Sequence, residues 1–507
     1  MLVAFLAAAA VAQRSAEPVE RPNVLVMMVD DLGWSDLGCY GSEIQTPELD
    51  RLAAGGVRLT QFYNTAKCAE SRATLLSGRY HGEVQTEKLS GCRTIAEVLR
   101  DAGYATAMTG KWHLDGSPID RGFERYWGHL SGATDCFVGD DTFRFGREPW
   151  DDFDDGFYTT DANVDYAIEF LDQMRATGKP WLQYIAFNAP HYPLQAPRAD
   201  IEKYLPQYEV GYHEIAGARL AKQKRLGLVH NHLPLPPWPD NAKRWSDLYE
   251  SERFHETLRM ATFAAMVDRI DQAIGRLLAD LSAHEEFENT LVIFVSDNGG
   301  CPFDRNHNLD RQPWEGRSHW TYDTRWAHVS NTPWREYKRN QHEGGISSPC
   351  IIHWPQQTTR RAGSLSYEVG HLVDILPTVV DATGASRPTP ASELRGRSLL
   401  PLLTSQKLAN RGRLIFDWQG VHSGLREGDW KLVAIDRGPW ELYDLSKDRQ
   451  EQHDLSRSHP ERLNRMIAQW QTLADEIGYV RKRPKEKRKQ PEGARESPKG
   501  RGRTGGR

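Results

Sequence analysis

The stretch Val24-Leu25-Val26-Met27-Met28-Val29 runs without a break into Asp30-Asp31. Short, continuously apolar runs rich in β-branched residues predict strands buried on both faces of a parallel sheet. Three more runs end in the same manner. Leu291-Val292-Ile293-Phe294-Val295 leads through Ser296 into Asp297-Asn298. Tyr104 to Thr109 leads into Gly110-Lys111-Trp112-His113, and Trp181 to Phe187 into Asn188-Ala189-Pro190-His191. In open α/β sheets, ligands bind in the crevice beyond the carboxyl ends of the strands. Polar residues far apart in sequence are therefore expected to meet at one site, as an enzyme requires.

Around these runs the pattern alternates strand-like and helix-like segments from Pro22 to about residue 385, which predicts α/β architecture. Thr46 is placed to cap a helix with Pro47 in its first turn, Leu49 and Leu52 facing inward and Gly55-Gly56 at its end. Residues 92–102 repeat that logic, ending at Gly103. Met260, Phe263, Val267, Ile270, Ile274 and Leu278 mark a longer helix over about 256–282. Residues 198–250 interrupt the alternation and read as an insertion over one rim of the site. Residues 300–348 are loop-like and hold Trp314, Trp320, Trp326 and Trp334, which either form a wall that stacks on sugar-like surfaces or pin the loop down.

At 507 residues the chain exceeds one simple core. The expected organisation is a large α/β domain over 21–390, with a mixed, mostly parallel sheet flanked by helices. A smaller α+β subdomain over 391–480 follows, with strands at Trp430–Val433 and Glu441–Tyr443 and a helix near 460–476. The tail 481–507, dense in Lys, Arg, Gly and Pro, is expected to be disordered and solvated.

Residues 1–20 comprise an apolar segment ending in Ala10-Val11-Ala12, plus a short linker. They read as a signal peptide without the usual basic start, so the protein is expected to be exported, to a periplasmic or extracellular location. No later run approaches the roughly 18 apolar residues of a membrane span, so no transmembrane segment is expected. The net charge of −5 is small, so no partner follows from it, and no nucleic acid partner is expected. The six cysteines show no metal-type pairing and are too sparse for a disulfide scaffold, which leaves room for one or two bridges.

Asp30, Asp31, Asp297 and Asn298 offer only oxygen donors, a set that suits a hard cation such as Ca²⁺ or Mg²⁺ better than zinc. A strand-terminal Asp pair taken alone is more often a loop cap than a ligand. Cys68, taken alone, is more often a small buried hydrophobe than a nucleophile.

The run Cys68-Ala69-Glu70-Ser71-Arg72, followed by Ala73-Thr74-Leu75-Leu76-Ser77-Gly78-Arg79, sets these residues in context. Together with Asp30-Asp31, Gly110-Lys111-Trp112-His113, Pro190-His191 and Ser296-Asp297-Asn298-Gly299-Gly300, it closely resembles the formylglycine-dependent sulfatases of the alkaline phosphatase-like superfamily. Asn331-Thr332-Pro333-Trp334-Arg335-Glu336-Tyr337-Lys338 through Glu343-Gly344-Gly345, and Asp374-Ile375-Leu376-Pro377-Thr378, match the same family. The resemblance covers about residues 22–480.

The resemblance implies hydrolysis of a sulfate monoester, of aryl or carbohydrate type. Cys68 would be oxidised to formylglycine by a separate formylglycine-generating enzyme, and its hydrated aldehyde would be the nucleophile. One divalent cation, Ca²⁺ ahead of Mg²⁺, would be held by Asp30, Asp31, Asp297, Asn298 and the modified Cys68. Arg72, Lys111 and Lys338 would contact the sulfate. His113 would take a proton as sulfate is expelled, and His191 with Lys338 would protonate the departing oxygen. The chain departs from the family at Glu70, where Pro is usual in the region read by the maturing enzyme. Two other readings stand beside this one: a formylglycine-dependent phosphonate or phosphate monoester hydrolase, and a non-catalytic binder of sulfated glycans should Cys68 stay unmodified.

Overall fold

The computed structural model describes residues 21–480 apart from 241, 359, 389–393, 405 and 407. The expected signal peptide at 1–20 and disordered tail at 481–507 lie outside the described residues. All four apolar runs are strands of one eleven-stranded sheet. Its strands are β1 (Asn23–Val29), β2 (Val57–Tyr63), β3 (Ala105–Gly110), β4 (Arg125–His129), β5 (Phe143–Phe145), β6 (Glu148–Pro149), β7 (Trp181–Ala186), β8 (Thr290–Ser296), β9 (Ser347–Ser348), β10 (Cys350–His353) and β11 (Ser364–His371). The order is β11-β2-β10-β8-β1-β7-β3-β4-β5-β6, with β9 beside β2. Strands β8, β1, β7, β3 and β4 run parallel, while β10 is antiparallel between β8 and β2.

Strand alternation explains why β1 is apolar throughout. Leu25, Met27 and Val29 enter the core on one face, and Val24, Val26 and Met28 enter the core on the other. Helices cover both faces, so neither set can be polar. Each such side chain stabilises the fold by about 1.5–3 kcal/mol when fully buried. On the first face lie Thr159–Arg175, Arg198–Tyr208 and the 34-residue helix Glu250–Ala283. On the second lie Cys68–Ser77, Ile95–Asp101 and Ile375–Thr383.

One expectation about the loops is corrected and one open alternative is decided. The 198–250 region is not merely an insertion over the site's rim. It contributes helices Arg198–Tyr208 and Tyr212–Arg225, whose Ile201, Tyr204, Tyr208, Tyr212 and Ile215 are part of the larger apolar core. Arg219 ties it to the loop after β1 through Asp36 at 2.6 Å and Glu43 at 2.8 Å. Three of the four tryptophans of 300–348 pin that segment: Trp320, Trp326 and Trp334 are buried, with Trp334 edge-on to Trp34 at 5.3 Å, while Trp314 is half-buried under the Arg198 guanidinium. Indole is too large an apolar surface to leave in water when a core is within reach. All six cysteines are free thiols.

After the large sheet comes a separate antiparallel sheet of β12 (Leu414–Trp418), β13 (His422–Glu427), β14 (Trp430–Ala434) and β15 (Glu441–Asp444). Helix Pro460–Ile477 packs on it through Met466, Trp470 and Ala474. Among the described residues no helix is long and apolar enough to cross a membrane.

The helix Pro47–Gly55 shows how long-range contacts replace a local cap. Thr46 does not cap it; its hydroxyl accepts from the Gly38 amide at 2.8 Å. The free amides of Glu48 and Leu49 donate instead to Asp271, at 3.0 and 2.8 Å. Burial, against the pull of those two amides, pushes the Asp271 carboxyl up to about 7. Asp271→Ala should cost about 1–2 kcal/mol in urea unfolding, the usual worth of a lost cap. A folded-state value raised above the ordinary carboxylate range gives stability that is full below pH ~4 and lost as pH rises through ~7. The stability deficit of Asp271→Asn should therefore shrink between pH 4 and 8.

Candidate active site

The carboxyl ends of β1 and β8 are neighbours, and they bring Asp30, Asp31, Asp297 and Asn298 together. The Asp31 amide donates to Asp297 Oδ1 at 3.1 Å, and Asn298 Nδ2 donates to Asp31 Oδ1 at 2.7 Å. Asp31 takes a left-handed backbone with φ +67, which turns the chain sharply after the strand. Gly299 permits the close approach of the 344 backbone: a Cβ there would sit 1.9 Å from the Gly344 carbonyl oxygen.

Cys68 opens the helix Cys68–Ser77, whose positive end faces the same crevice. The Cys68 sulfur, an Asp30 oxygen and an Asp297 oxygen all lie within 4.8 Å of one another. Ser71 fastens the helix to β8 by donating to the Asp297 carbonyl at 2.5 Å. Burial, reinforced by Asp30 and Asp297, pushes the Cys68 thiol up despite Lys111 and Lys338. An unmodified cysteine at this place is a protonated thiol, and so a weak nucleophile.

Three cations face the three carboxylates. Lys111, from the end of β3, pairs with Asp30 Oδ2, and Lys338 pairs with Asp31 Oδ1. Arg72 lies 3.6 Å from Asp30 and 3.5 Å from Asp297, and is aimed by its bond to the Lys111 carbonyl at 2.8 Å. Burial opposes ionisation of Asp30, but Lys111, His191, Arg72 and Lys338 outweigh it and hold that carboxyl well below the ordinary range. Asp297 moves the opposite way. Burial and the neighbouring Asp30 and Asp31 charges lift it well above the ordinary range against Arg72 and Lys111.

A divalent cation fits this donor set. Asp30 Oδ1, Asp31 Oδ2 and Asn298 Oδ1 are buried without a hydrogen-bond partner among the described residues. In both aspartates the other oxygen is already engaged by a lysine, and the Asn298 amide is turned by its bond to Asp31. Hard oxygen donors left free in this manner suit Ca²⁺ or Mg²⁺.

His191 follows β7. Its Nδ1 donates to the Tyr192 carbonyl at 2.6 Å, which leaves Nε2, 3.6 Å from Asp31 Oδ2, as the lone-pair nitrogen of the neutral ring. Burial pushes His191 down to about 4, although Asp31 and Asp30 resist. His113 stands apart from this hydrogen-bonded set. Its Nδ1 has no partner among the described residues, and its Nε2 packs over Gly132, where a Cβ would lie 2.7 Å away. Burial and the Lys111 and Arg72 charges push it far below the ordinary imidazole value.

Several residues of the site went unassigned in the sequence. Cys301 is buried beside Asp31 and Lys338, and no spacing singled it out. Asn331 and Glu343 lie inside quoted motifs but had no role. Asn331 Oδ1 accepts the Gly300 amide at 3.1 Å. Glu343 is the hub of a buried network with Lys431, Arg449 and Tyr63, each at 2.8 Å, which docks the small sheet on the loop carrying Lys338.

The chain can be set beside known proteins on this geometry. A family model described as Sulfatase matches residues 22–385, and one described as N-sulphoglucosamine sulphohydrolase, C-terminal, matches 334–475. The chain is 32% identical over 435 residues to an arylsulfatase of Klebsiella aerogenes, with 76% of this chain and 90% of that one covered. It is 28% identical over 502 residues to an N-acetylglucosamine-6-O-sulfatase of Bacteroides thetaiotaomicron, covering 85% and 81%. The solved structure of Ps i-CgsB in complex with k-i-k-neocarrahexaose shares the fold, with a TM-score of 0.69, 22% identity and coverage of 92% and 96%. The match of the family model over most of the chain, and the Klebsiella relative above 30% identity, settle the assignment: this protein belongs to the sulfatase family and is a sulfatase.

Proposed function

We propose that this sulfatase is an exported enzyme that releases inorganic sulfate from a carbohydrate or aryl sulfate monoester, using formylglycine made from Cys68 by a formylglycine-generating enzyme, together with one divalent cation, Ca²⁺ ahead of Mg²⁺. The observation that carries the reading is the Cys68 sulfur at a helix N-terminus, within 4.8 Å of Asp30 and Asp297 oxygens. The relatives named for aryl and N-acetylglucosamine sulfates support the substrate class, and the apolar leader ending Ala10-Val11-Ala12 supports export.

Asp30, Asp31, Asp297 and Asn298 would hold the cation, which supplies Lewis acidity at the reacting oxygens when bound. The chain's own groups divide the remaining work. Arg72, Lys111 and Lys338 surround a small volume with fixed positive charge, so the negative charge that builds on sulfate oxygens meets pre-oriented donors. Burial keeps water from screening them. Lys338 holds a proton that can pass to the departing alcohol oxygen, and His191 presents its Nε2 lone pair at the Asp31 side, where it can relay that proton. His113, kept neutral by its cationic neighbours, is free to accept a proton as sulfate leaves. Proton transfer to a neutral imidazole needs no prior loss of charge.

Cys68→Ala should abolish turnover of 4-nitrophenyl sulfate. Arg72→Ala should lower kcat by about 10²–10³, the usual effect of losing one charge-stabilising donor; both variants should keep the parent's circular dichroism. Mass spectrometry of the Cys68 peptide from co-expression with a maturing enzyme should recover the aldehyde form. Recovery of cysteine alone would leave the protein a binder of sulfated glycans. In Asp297→Ala, elemental analysis should show loss of most bound divalent metal, so full metal retention would argue against the ligand role. Hydrolysis of 4-nitrophenyl sulfate should exceed that of 4-nitrophenyl phosphate under identical conditions, and the reverse order would favour the phosphate or phosphonate reading.

A further inference from the structure

Two arginines, Arg305 and Arg339, pair with no carboxylate among the described residues. Arg339 follows Lys338 directly, and its φ of +73 sends the backbone through a left-handed turn, with the amide of Arg339 fixed on the Ala66 carbonyl at 2.7 Å. While the Lys338 ammonium reaches Asp31, the Arg339 guanidinium is held between two rings, 4.4 Å from the centroid of Phe303 and 5.0 Å from that of Trp418. No side-chain hydrogen bond or ion pair engages that guanidinium among the described residues, and its Nε is a buried nitrogen without a partner. Arg305 meets the same phenyl ring, 5.3 Å from its centroid, and donates to the Tyr192 hydroxyl at 2.7 Å. Neighbouring Asp304 does not neutralise Arg305, because its carboxylate is turned to Arg259 at 3.3 Å.

Both arginines are tied to segments that carry site residues: Arg305 donates to the hydroxyl of Tyr192, which follows His191, and Arg339 follows Lys338. A small crevice between the two segments is lined by Asp31, Tyr192 and Cys301. Phe303 is two residues from Cys301, Tyr192 adjoins His191, and Arg339 adjoins Lys338. Two residues of extended chain span at most ~7 Å.

Aromatic rings fix a guanidinium in place through its faces and leave its edge N–H groups free, and those edges match the oxygens of a sulfate or carboxylate. We propose that Arg339 and Arg305, flanking Phe303, form a second anion subsite, so that the preferred substrate carries a further sulfate or carboxylate near the scissile ester. This rests on the sulfatase reading above and narrows it from sulfate esters at large to polyanionic glycans. Trp418 comes from β12, so the small C-terminal sheet takes part in the subsite.

The test is calorimetric binding to calcium-loaded protein in a Cys68→Ala background, which cannot turn its ligand over. The probes are singly sulfated disaccharides and their counterparts with a second sulfate or a uronate carboxylate, measured beside turnover of 4-nitrophenyl sulfate by the parent. Doubly charged probes should bind at least about tenfold tighter than singly charged ones, the usual worth of a hydrogen bond to a charged group. Arg339→Gln and Arg305→Gln should each reduce that preference to about threefold or less. Arg305 is exposed, so its variant remains informative should Arg339→Gln fail to fold. A preference that survives both substitutions, or a parent indifferent to the second charge, would overturn the subsite. Equal weakening of both probe classes would assign the arginines to holding loops, which also overturns it. Absence of sulfate release by the parent would instead count against the catalytic reading, since binding is measured separately.

Discussion

Three carboxylates and three cations are buried together where β1 and β8 end, and the rest of the molecule is arranged to make that tolerable. Taking ions out of water costs several kcal/mol each unless partners replace the lost hydration. Here each charge has one. Asp30 answers Lys111 and Arg72, Asp31 answers Lys338, and Asp297 is bound by Arg72 and by the Asp31 amide. The pairs come from β1, β3, β8, the Cys68 helix and the 331–346 loop, so losing β1 would strip Lys111 and Lys338 of their partners, and losing the loop would strip Asp31 of Lys338. Site and fold therefore share the same contacts.

That charge balance also says what the site is for. An assembly of opposite charges that closes on itself has little use for a ligand, but this one leaves oxygens unspent. The free oxygens of Asp30, Asp31 and Asn298 point to a cation, and the cationic side chains beside them point to an anion. A sulfate ester answers the cations, and a dication would answer the free oxygens. Glu343, buried under the small sheet with Lys431 and Arg449, extends the arrangement outward and anchors the segment that carries Lys338.

Much of this was legible in the sequence because strand ends and catalytic motifs are local. The four apolar runs are adjacent parallel strands, and their terminal residues do face one crevice. The helix at Pro47–Gly55 was legible too, from Pro47 and the terminal glycines, whereas its cap was not: Asp271 lies more than two hundred residues away. The tryptophans of 300–348 were ambiguous for the same reason. An indole in a polar loop has the same sequence signature whether it meets a core or a ligand, and only the packing of Trp334 on Trp34 and of Trp326 in the core resolves it.

Sequence alone determined the α/β class, the sulfatase resemblance and the residue types around position 68, since periodicity and short motifs are written in consecutive residues. Tertiary structure decided which oxygen atoms remain free for a cation, that His113 makes no hydrogen bond to the other site residues, and that Arg305 and Arg339 meet no carboxylate among the described residues. Those are properties of distance and burial between remote segments. A side chain's partner is set by where the folded backbone puts it, and no local pattern encodes that.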